Sequence, residues 1–182
     1  MKINTETGLI ENVQYIASAN TDERPALEDI DLVVIHSISL PPGEYGGPWI
    51  EKLFTNQLPA DEHPYFKEIH ELKVSSHVLI RRDGTVQQFV PFHQRAWHAG
   101  QSCYQGREAC NDYSIGIELE GTDDSEFEDV QYQQLAELIK TLDSSYDSID
   151  KNRLTGHSDI APGRKTDPGS GFDWGRLRGL LT

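Results

Sequence analysis

Ser114-Ile115-Gly116-Ile117-Glu118-Leu119-Glu120-Gly121 is the most regular stretch of the chain. Ile115, Ile117 and Leu119 recur at every second position, with Gly116, Glu118 and Glu120 between them. A period of two is that of a β-strand, whose successive side chains point to opposite faces. One face of this strand must therefore be covered by apolar material. A cover lies next in the chain, where Leu135, Leu138, Ile139 and Leu142 stand at i, i+3, i+4 and i+7, the stripe of an amphipathic helix. Ahead of them, Ser125-x-x-Glu128 has the spacing of a capping box. Upstream, Leu32-Val33-Val34-Ile35 is a short, β-branched run suited to a strand buried on both faces. Val78 and Ile80 alternate with Leu79 and Arg81, Asp83-Gly84 reads as a hairpin turn, and Thr85 to Val90 returns. Leu154 to His157 reads as another short strand. Helices are predicted at Trp49, Ile50, Leu53 and Phe54, between Pro64 and Leu72, and from Trp174 to Leu181. Pro41 to Pro48 is a loop, and Ile160 to Phe172, with two prolines and three glycines, must be irregular. The first thirty residues, ending in Pro25 and the acidic Glu28–Asp31, read as a polar lead-in. Strands interleaved with helices predict an α/β fold, a mixed central sheet flanked by helices, in a single domain over 1–182 with its core from about residue 30.

Composition narrows the partners. At 182 residues one domain is expected. The 16 Lys+Arg against 30 Asp+Glu leave a formal charge of −14, the wrong sign for neutralising phosphates. No run approaches the ~18 apolar residues of a membrane span. The opening MKINTETGLIENVQYI has no apolar signal core, and the two cysteines, Cys103 and Cys110, cannot make a disulfide scaffold. A cytoplasmic monomer is expected, with both thiols buried or half-buried.

Seven histidines are present, and position separates them. His36 ends the Leu32–Ile35 run on the face of Leu32 and Val34, where a strand opens onto a Gly/Pro loop. His157 follows Thr155-Gly156, directly before the irregular segment, and Asp167 comes ten residues later. Lys165 stands two before Asp167 and faces the same way in an extended chain. Two neutral imidazoles and a carboxylate, with a fourth position for water, make a catalytic zinc set. No short motif joins them, so on spacing alone satisfied structural histidines are the better account. Glu118 and Glu120 share a strand face, and the pattern does not choose between them. Trp97 and His98 suit either a sugar pocket or the core. Arg107 offers a planar fork to a carboxylate or is simply solvated. His63 and His70 read as surface residues, and His77 and His93 offer nothing specific.

Four stretches carry a resemblance: Val34-Ile35-His36-Ser37-Ile38-Ser39-Leu40-Pro41-Pro42-Gly43-Glu44-Tyr45-Gly46-Gly47; Ala96-Trp97-His98-Ala99-Gly100; Ser114 to Gly121; and Thr155-Gly156-His157-Ser158-Asp159-Ile160-Ala161-Pro162-Gly163-Arg164-Lys165-Thr166-Asp167-Pro168-Gly169. In this order they closely resemble the cytoplasmic anhydro-N-acetylmuramoyl-L-alanine amidases, the AmpD-type branch of a zinc amidase superfamily. Phage lysozyme-like amidases and peptidoglycan recognition proteins belong to the same superfamily. The resemblance implies Zn2+ on His36, His157 and Asp167, Glu118 as the catalytic acid, and Lys165 as the lysine facing the transition state. It implies a small-molecule substrate, an anhydro-muropeptide, cut between the muramic acid and L-alanine in cell-wall recycling. Control of β-lactamase induction follows from the level of that substrate. Ser37, Trp97, His98 and Arg107 are the expected substrate contacts. Ser37 stands where many relatives carry Asn, and Ala109 where they often carry an Arg that contacts stem-peptide carboxylates, so Arg107 is the candidate substitute. Because the substrate is anionic, the cleft is expected to be locally positive through zinc, Arg107, Arg164 and Lys165. The rival readings are a non-catalytic peptidoglycan-fragment receptor on the same scaffold and a periplasmic amidase acting on intact peptidoglycan.

Overall fold

Six strands form the central sheet of the computed structural model, which describes residues 1–26 and 30–182. They are β1 (Gln14–Tyr15), β2 (Leu32–Ile38), β3 (Val78–Ile80), β4 (Val86–Gln88), β5 (Ser114–Glu120) and β6 (Leu154–Gly156). Their order across the sheet is β6-β2-β5-β3-β4-β1. β6, β2, β5 and β3 run parallel, β3 and β4 form an antiparallel hairpin, and β1 adds parallel to β4 at the edge. The sheet is therefore mixed, as expected. The helices are α1 (Trp49–Phe54), α2 (Phe66–Ile69), α3 (Asp129–Ser145), α4 (His157–Ile160) and α5 (Trp174–Leu181).

The alternation of β5 decides which face is which. Ile115, Ile117 and Leu119 join Val33 and Ile35 of β2 in one core with Leu135, Leu138, Ile139 and Leu142 of α3 and Leu177 and Leu181 of α5. Fully burying each such aliphatic side chain contributes ~1.5–3 kcal/mol, so this face fixes the sheet's register. A one-residue slip would turn Glu118 and Glu120 into that core. On the opposite face Leu32 and Val34 pack with Ala99, Cys110, Tyr113 and Ile160. A third cluster, with Leu40, Ile50, Leu53, Phe54, Phe66 and Leu79, lies beneath α1 and α2.

Three local expectations are corrected. The capping box of α3 is Glu128 with Gln131: the Glu128 N–H donates to Gln131 Oε1 at 3.0 Å, while Ser125 Oγ accepts instead from the Thr122 N–H at 3.1 Å. Phe127, buried against Phe172, holds the preceding residues out of the helix. The N-terminal stretch is structured beyond a lead-in. Ile3–Asn4 pairs with Leu9–Ile10, β1 extends the sheet, and Thr21–Glu23 pairs with Gln94–Ala96. Arg24 is buried there, donating to the carbonyls of Phe92, Asn111, Asp112 and Ser114. Of the acidic stretch Glu28–Asp31, Glu28 and Asp29 lie outside the described residues. Finally, Cys110 is buried but Cys103 is exposed, in a two-residue strand whose partner is Arg107–Glu108.

Candidate active site

β2 and β6 are neighbours, and both deliver a histidine at the same end of the sheet. His36 is the fifth residue of β2, and β6 runs straight into α4, whose first residue is His157. The irregular segment beyond α4 folds back, with the Ser158 N–H donating to the Asp167 carbonyl at 2.9 Å. Three atoms converge: His36 Nδ1 and His157 Nδ1 are 3.0 Å apart, and Asp167 Oδ2 is 3.0 Å from the first and 3.1 Å from the second. Among the described residues this is the one such His/Cys/Asp/Glu group. Burial pushes the His36 imidazole down to about 4. Burial alone would raise the Asp167 carboxyl, but the His157 and His36 imidazoles against it outweigh that in metal-free protein and hold it well below the usual carboxylate range.

The donor set fits a divalent cation. The other nitrogen of His157 donates to the Ala99 carbonyl at 3.2 Å, which leaves the Nδ1 lone pair pointing at the cluster. His36 Nε2 is likewise engaged, 2.9 Å from His98 Nδ1. Two imidazole lone pairs and a carboxylate oxygen facing one another repel unless a cation lies between them. Donors of a tetrahedral zinc site stand ~3.3 Å apart, given bonds of ~2.0–2.1 Å. The observed triangle is close to that.

Glu118 and Glu120 differ sharply in their surroundings. Glu118 stands directly beside His36 in the parallel β2–β5 register. It is 8% exposed, and its Oε2 has no hydrogen-bond partner. Burial first, then the charge of Asp167, raises its carboxyl well above the ordinary value, with Lys165 opposing. Glu120 is committed elsewhere: Oε1 accepts from the Gly46 N–H at 2.7 Å and from Arg81 Nη1 at 3.3 Å, and Oε2 accepts from the Arg82 N–H. Glu120 therefore pins the Gly/Pro loop after β2, and Glu118 is left facing the cluster with an open acceptor. A groove of about 560 Å³ reaches the cluster at His157 and Asp167, with Ser37, Asp123 and Lys165 on the same side; His36 and Glu118 lie behind its lining. Leu40, Leu53, Tyr65, Ile69, Leu72 and Val74 line its apolar side.

A family model described as N-acetylmuramoyl-L-alanine amidase matches residues 26–170. The chain is 57% identical over 176 residues to the 1,6-anhydro-N-acetylmuramyl-L-alanine amidase AmpD of Salmonella typhimurium (strain SL1344), covering 97% of this chain and 94% of that one. Against the Escherichia coli (strain K12) AmpD the identity is 56% over 177 residues, covering 97% and 96%. The chain belongs to the N-acetylmuramoyl-L-alanine amidase family, in its AmpD-type branch. The crystal structure of an Se-Met AmpD derivative superposes with a TM-score of 0.95 at 54% identity, covering all of both chains. E. coli AmiD, solved with the substrate anhydro-N-acetylmuramic acid-L-Ala-D-gamma-Glu-L-Lys, superposes with a TM-score of 0.60 at 32% identity, over 87% of this chain and 60% of that one.

Not every residue expected to serve this amidase's site reaches the groove. Ser37 does, donating its hydroxyl to Asp123 Oδ1 at 3.2 Å. Trp97 does not line it: its indole N–H is held by Asp22 Oδ1 at 3.1 Å, beside the Thr21–Glu23 ladder. His98 lies behind His36, buried, with its Nε2 3.2 Å from Ser114 Oγ. Arg107 stacks over Tyr113 at 3.8 Å and pairs with Asp31 at 3.9 Å, away from the groove. Arg164 is turned to the carbonyls of Ala99 and Gln101, at 2.7 and 2.6 Å. Of the four sources of positive charge expected in the cleft, Lys165 is the one Lys or Arg among the lining residues, which also include Asp123, Asp124 and Asp167. The locally positive lining expected from side chains is absent there, because both expected arginines, Arg107 and Arg164, are spent on protein contacts. His77, for which the sequence offers nothing specific, is fully buried and 2.9 Å from Arg24 Nη2. Asp123, a lone acidic loop residue, carries no sequence pattern that marks it.

Proposed function

We propose that this amidase hydrolyses the amide bond between 1,6-anhydro-N-acetylmuramic acid and the L-alanine of the stem peptide, with zinc held by His36, His157 and Asp167. The observation that carries the reading is the unpartnered, buried Oε2 of Glu118 beside His36. A carboxylate placed there is costly to stability, and proton transfer beside the ligand cluster is a use that justifies it. Zinc in such a site supplies Lewis acidity toward the carbonyl and a water acidified to a pKa near ~7.

The chain's own groups do the rest. Glu118 accepts the proton of the attacking water at Oε2 as the new C–O bond forms. Negative charge then grows on the former carbonyl oxygen, and the ammonium of Lys165, exposed on the groove wall, donates to it. As the C–N bond breaks, Glu118 returns the proton to the departing L-alanine nitrogen. The products are the free stem peptide and the anhydro-muramic acid carboxylate. Ser37, fixed by Asp123, presents its oxygen to the bound fragment, and the apolar wall from Leu40 to Val74 shields it from bulk water. Trp97, His98 and Arg107 are not assigned direct substrate contacts. The anionic substrate meets its positive charge in Lys165 and the metal.

The setting we propose is cytoplasmic recycling of cell-wall fragments by a monomeric enzyme, with β-lactamase induction following the level of its substrate. No described helix is long and apolar enough to cross a membrane. A fragment receptor on this scaffold has no need of an unpartnered Glu118. The test is purified protein incubated with anhydro-muropeptide, with and without a chelator, and followed by mass spectrometry. Release of stem peptide that chelation abolishes is expected. Release that persists under chelation would refute the metal mechanism, and no release in zinc-replete buffer would turn the reading toward the receptor.

A further inference from the structure

We infer that His98 is a positioning residue: it selects which nitrogen of His36 carries the ring proton and so keeps Nδ1 free to bind the metal. The inference rests on reading the triad as a metal site. Neutral imidazole has one N–H, and His36 has two places to put it. On Nδ1 the proton would bond to Asp167 Oδ2, 3.0 Å away, in a charge-assisted contact that occupies the metal's position. On Nε2 it meets His98 Nδ1 at 2.9 Å. The outcome depends on whether His98 Nδ1 is an acceptor.

A chain of hydrogen bonds makes it one. The Ser114 hydroxyl donates its only proton to the Cys110 carbonyl at 2.5 Å. Ser114 Oγ can then only accept from His98 Nε2, 3.2 Å away. With its proton on Nε2, neutral His98 offers the Nδ1 lone pair to His36. The carbonyl of Cys110 thus sets the tautomer of a ligand two side chains away.

The fold builds this arrangement deliberately into β5. Ser114 and Gly116 lie on the same face of the strand, and a Cβ on Gly116 would stand 2.5 Å from His98 Cγ, so the glycine leaves the space in which the ring lies. The two rings meet edge to face, 5.0 Å between centroids at 86°. The backbone is clamped as well: the His98 and Ala99 N–H groups both donate to Asn111 Oδ1, at 3.1 and 2.8 Å. The same two residues therefore orient both histidine ligands, His36 through the His98 ring and His157 through the Ala99 carbonyl. Outer partners of metal-bound histidines typically contribute 10–100-fold in metal affinity.

The test compares zinc affinity, by chelator competition, in the wild type, His98→Phe and His98→Asn. Phe keeps the ring's bulk but has no acceptor. Asn leaves a cavity but keeps an acceptor oxygen on Cγ, where Nδ1 was. The expected result is a 10–100-fold loss for Phe and recovery of most of it by Asn. A packing role predicts the reverse order, so Phe binding zinc as tightly as the wild type, or more tightly than Asn, would overturn the inference. A second measurement does not depend on the variants folding. Long-range 1H–15N spectra of the zinc-loaded wild type are expected to show His98 protonated at Nε2, and a proton on His98 Nδ1 would equally overturn it. Failure of the wild type itself to take up zinc would sink the metal reading of the triad, a distinguishable outcome.

Discussion

Glu118→Gln exchanges one carboxylate oxygen for an amide group of the same size, at a position that is 8% exposed and has Oε2 without a partner. Two consequences of opposite sign follow. Activity loses its proton carrier, and general acid–base groups contribute ~10²–10⁴-fold. That is about 3–5.5 kcal/mol of barrier at ~1.4 kcal/mol per decade. Stability moves the other way with pH. The folded-state pKa of Glu118 is raised above the unfolded value, chiefly by burial. Its contribution to stability is therefore full below the unfolded pKa and is lost as pH rises through the folded one. Gln has nothing to lose. In metal-free protein, the melting temperature of the variant minus that of the wild type should increase as the pH is raised from 5 toward 9. Each unit of upward displacement is worth ~1.4 kcal/mol, or about 3–6 °C for a chain of this size at ~2–4 °C per kcal/mol. The amide's own unmet donors lower the variant's melting temperature by an amount independent of pH, so the slope carries the information. The assay pairs turnover of anhydro-muropeptide with thermal melts across pH, and metal content is checked in parallel. A variant retaining activity within tenfold, or a melting difference flat with pH, would refute the reasoning.

Lys165→Ala should lower turnover ~10²–10³-fold, the cost of one donor to a developing oxyanion, with zinc content unchanged by elemental analysis; concurrent loss of metal would show that Lys165 has a different role. His36 sets a second pH response. Burial depresses it to about 4, so metal-free protein should lose stability as pH falls from 6.5 through about 4, where the unfolded chain takes up a proton that the folded one resists. Melts of His36→Ala with the same acid slope as the wild type would count against that assignment.

Particular residues show how far sequence patterns reach. The alternation of Ile115, Ile117 and Leu119 and the stripe Leu135, Leu138, Ile139 and Leu142 both appear where expected, meeting in one core. Such periods come from local backbone geometry, so they survive in one dimension. The two-residue strands at Ile3–Asn4, Leu9–Ile10 and Gln14–Tyr15 are too short to display any period, and they form because neighbouring strands offer partners. The capping box shifted by three residues because the burial of Phe127 outweighed a local motif.

By itself, the sequence determined the α/β class and the strand ends that bear His36 and His157, and it offered a candidate donor set of imidazoles and carboxylate free of thiolate. Those follow from periodicity, chain order and side-chain chemistry, all of which are local. The strand pattern left Glu118 and Glu120 alike, the family resemblance pointed to Glu118, and the tertiary structure gives the physical difference: Gly46, Arg81 and Arg82 engage Glu120, while Glu118 Oε2 has no partner. The tertiary structure also moved His98 from a supposed sugar contact to a place behind His36, and turned Arg107 and Arg164 away from the groove. Hydrogen-bond partners and burial are properties of non-local contacts, and no pattern within a single strand or loop encodes them.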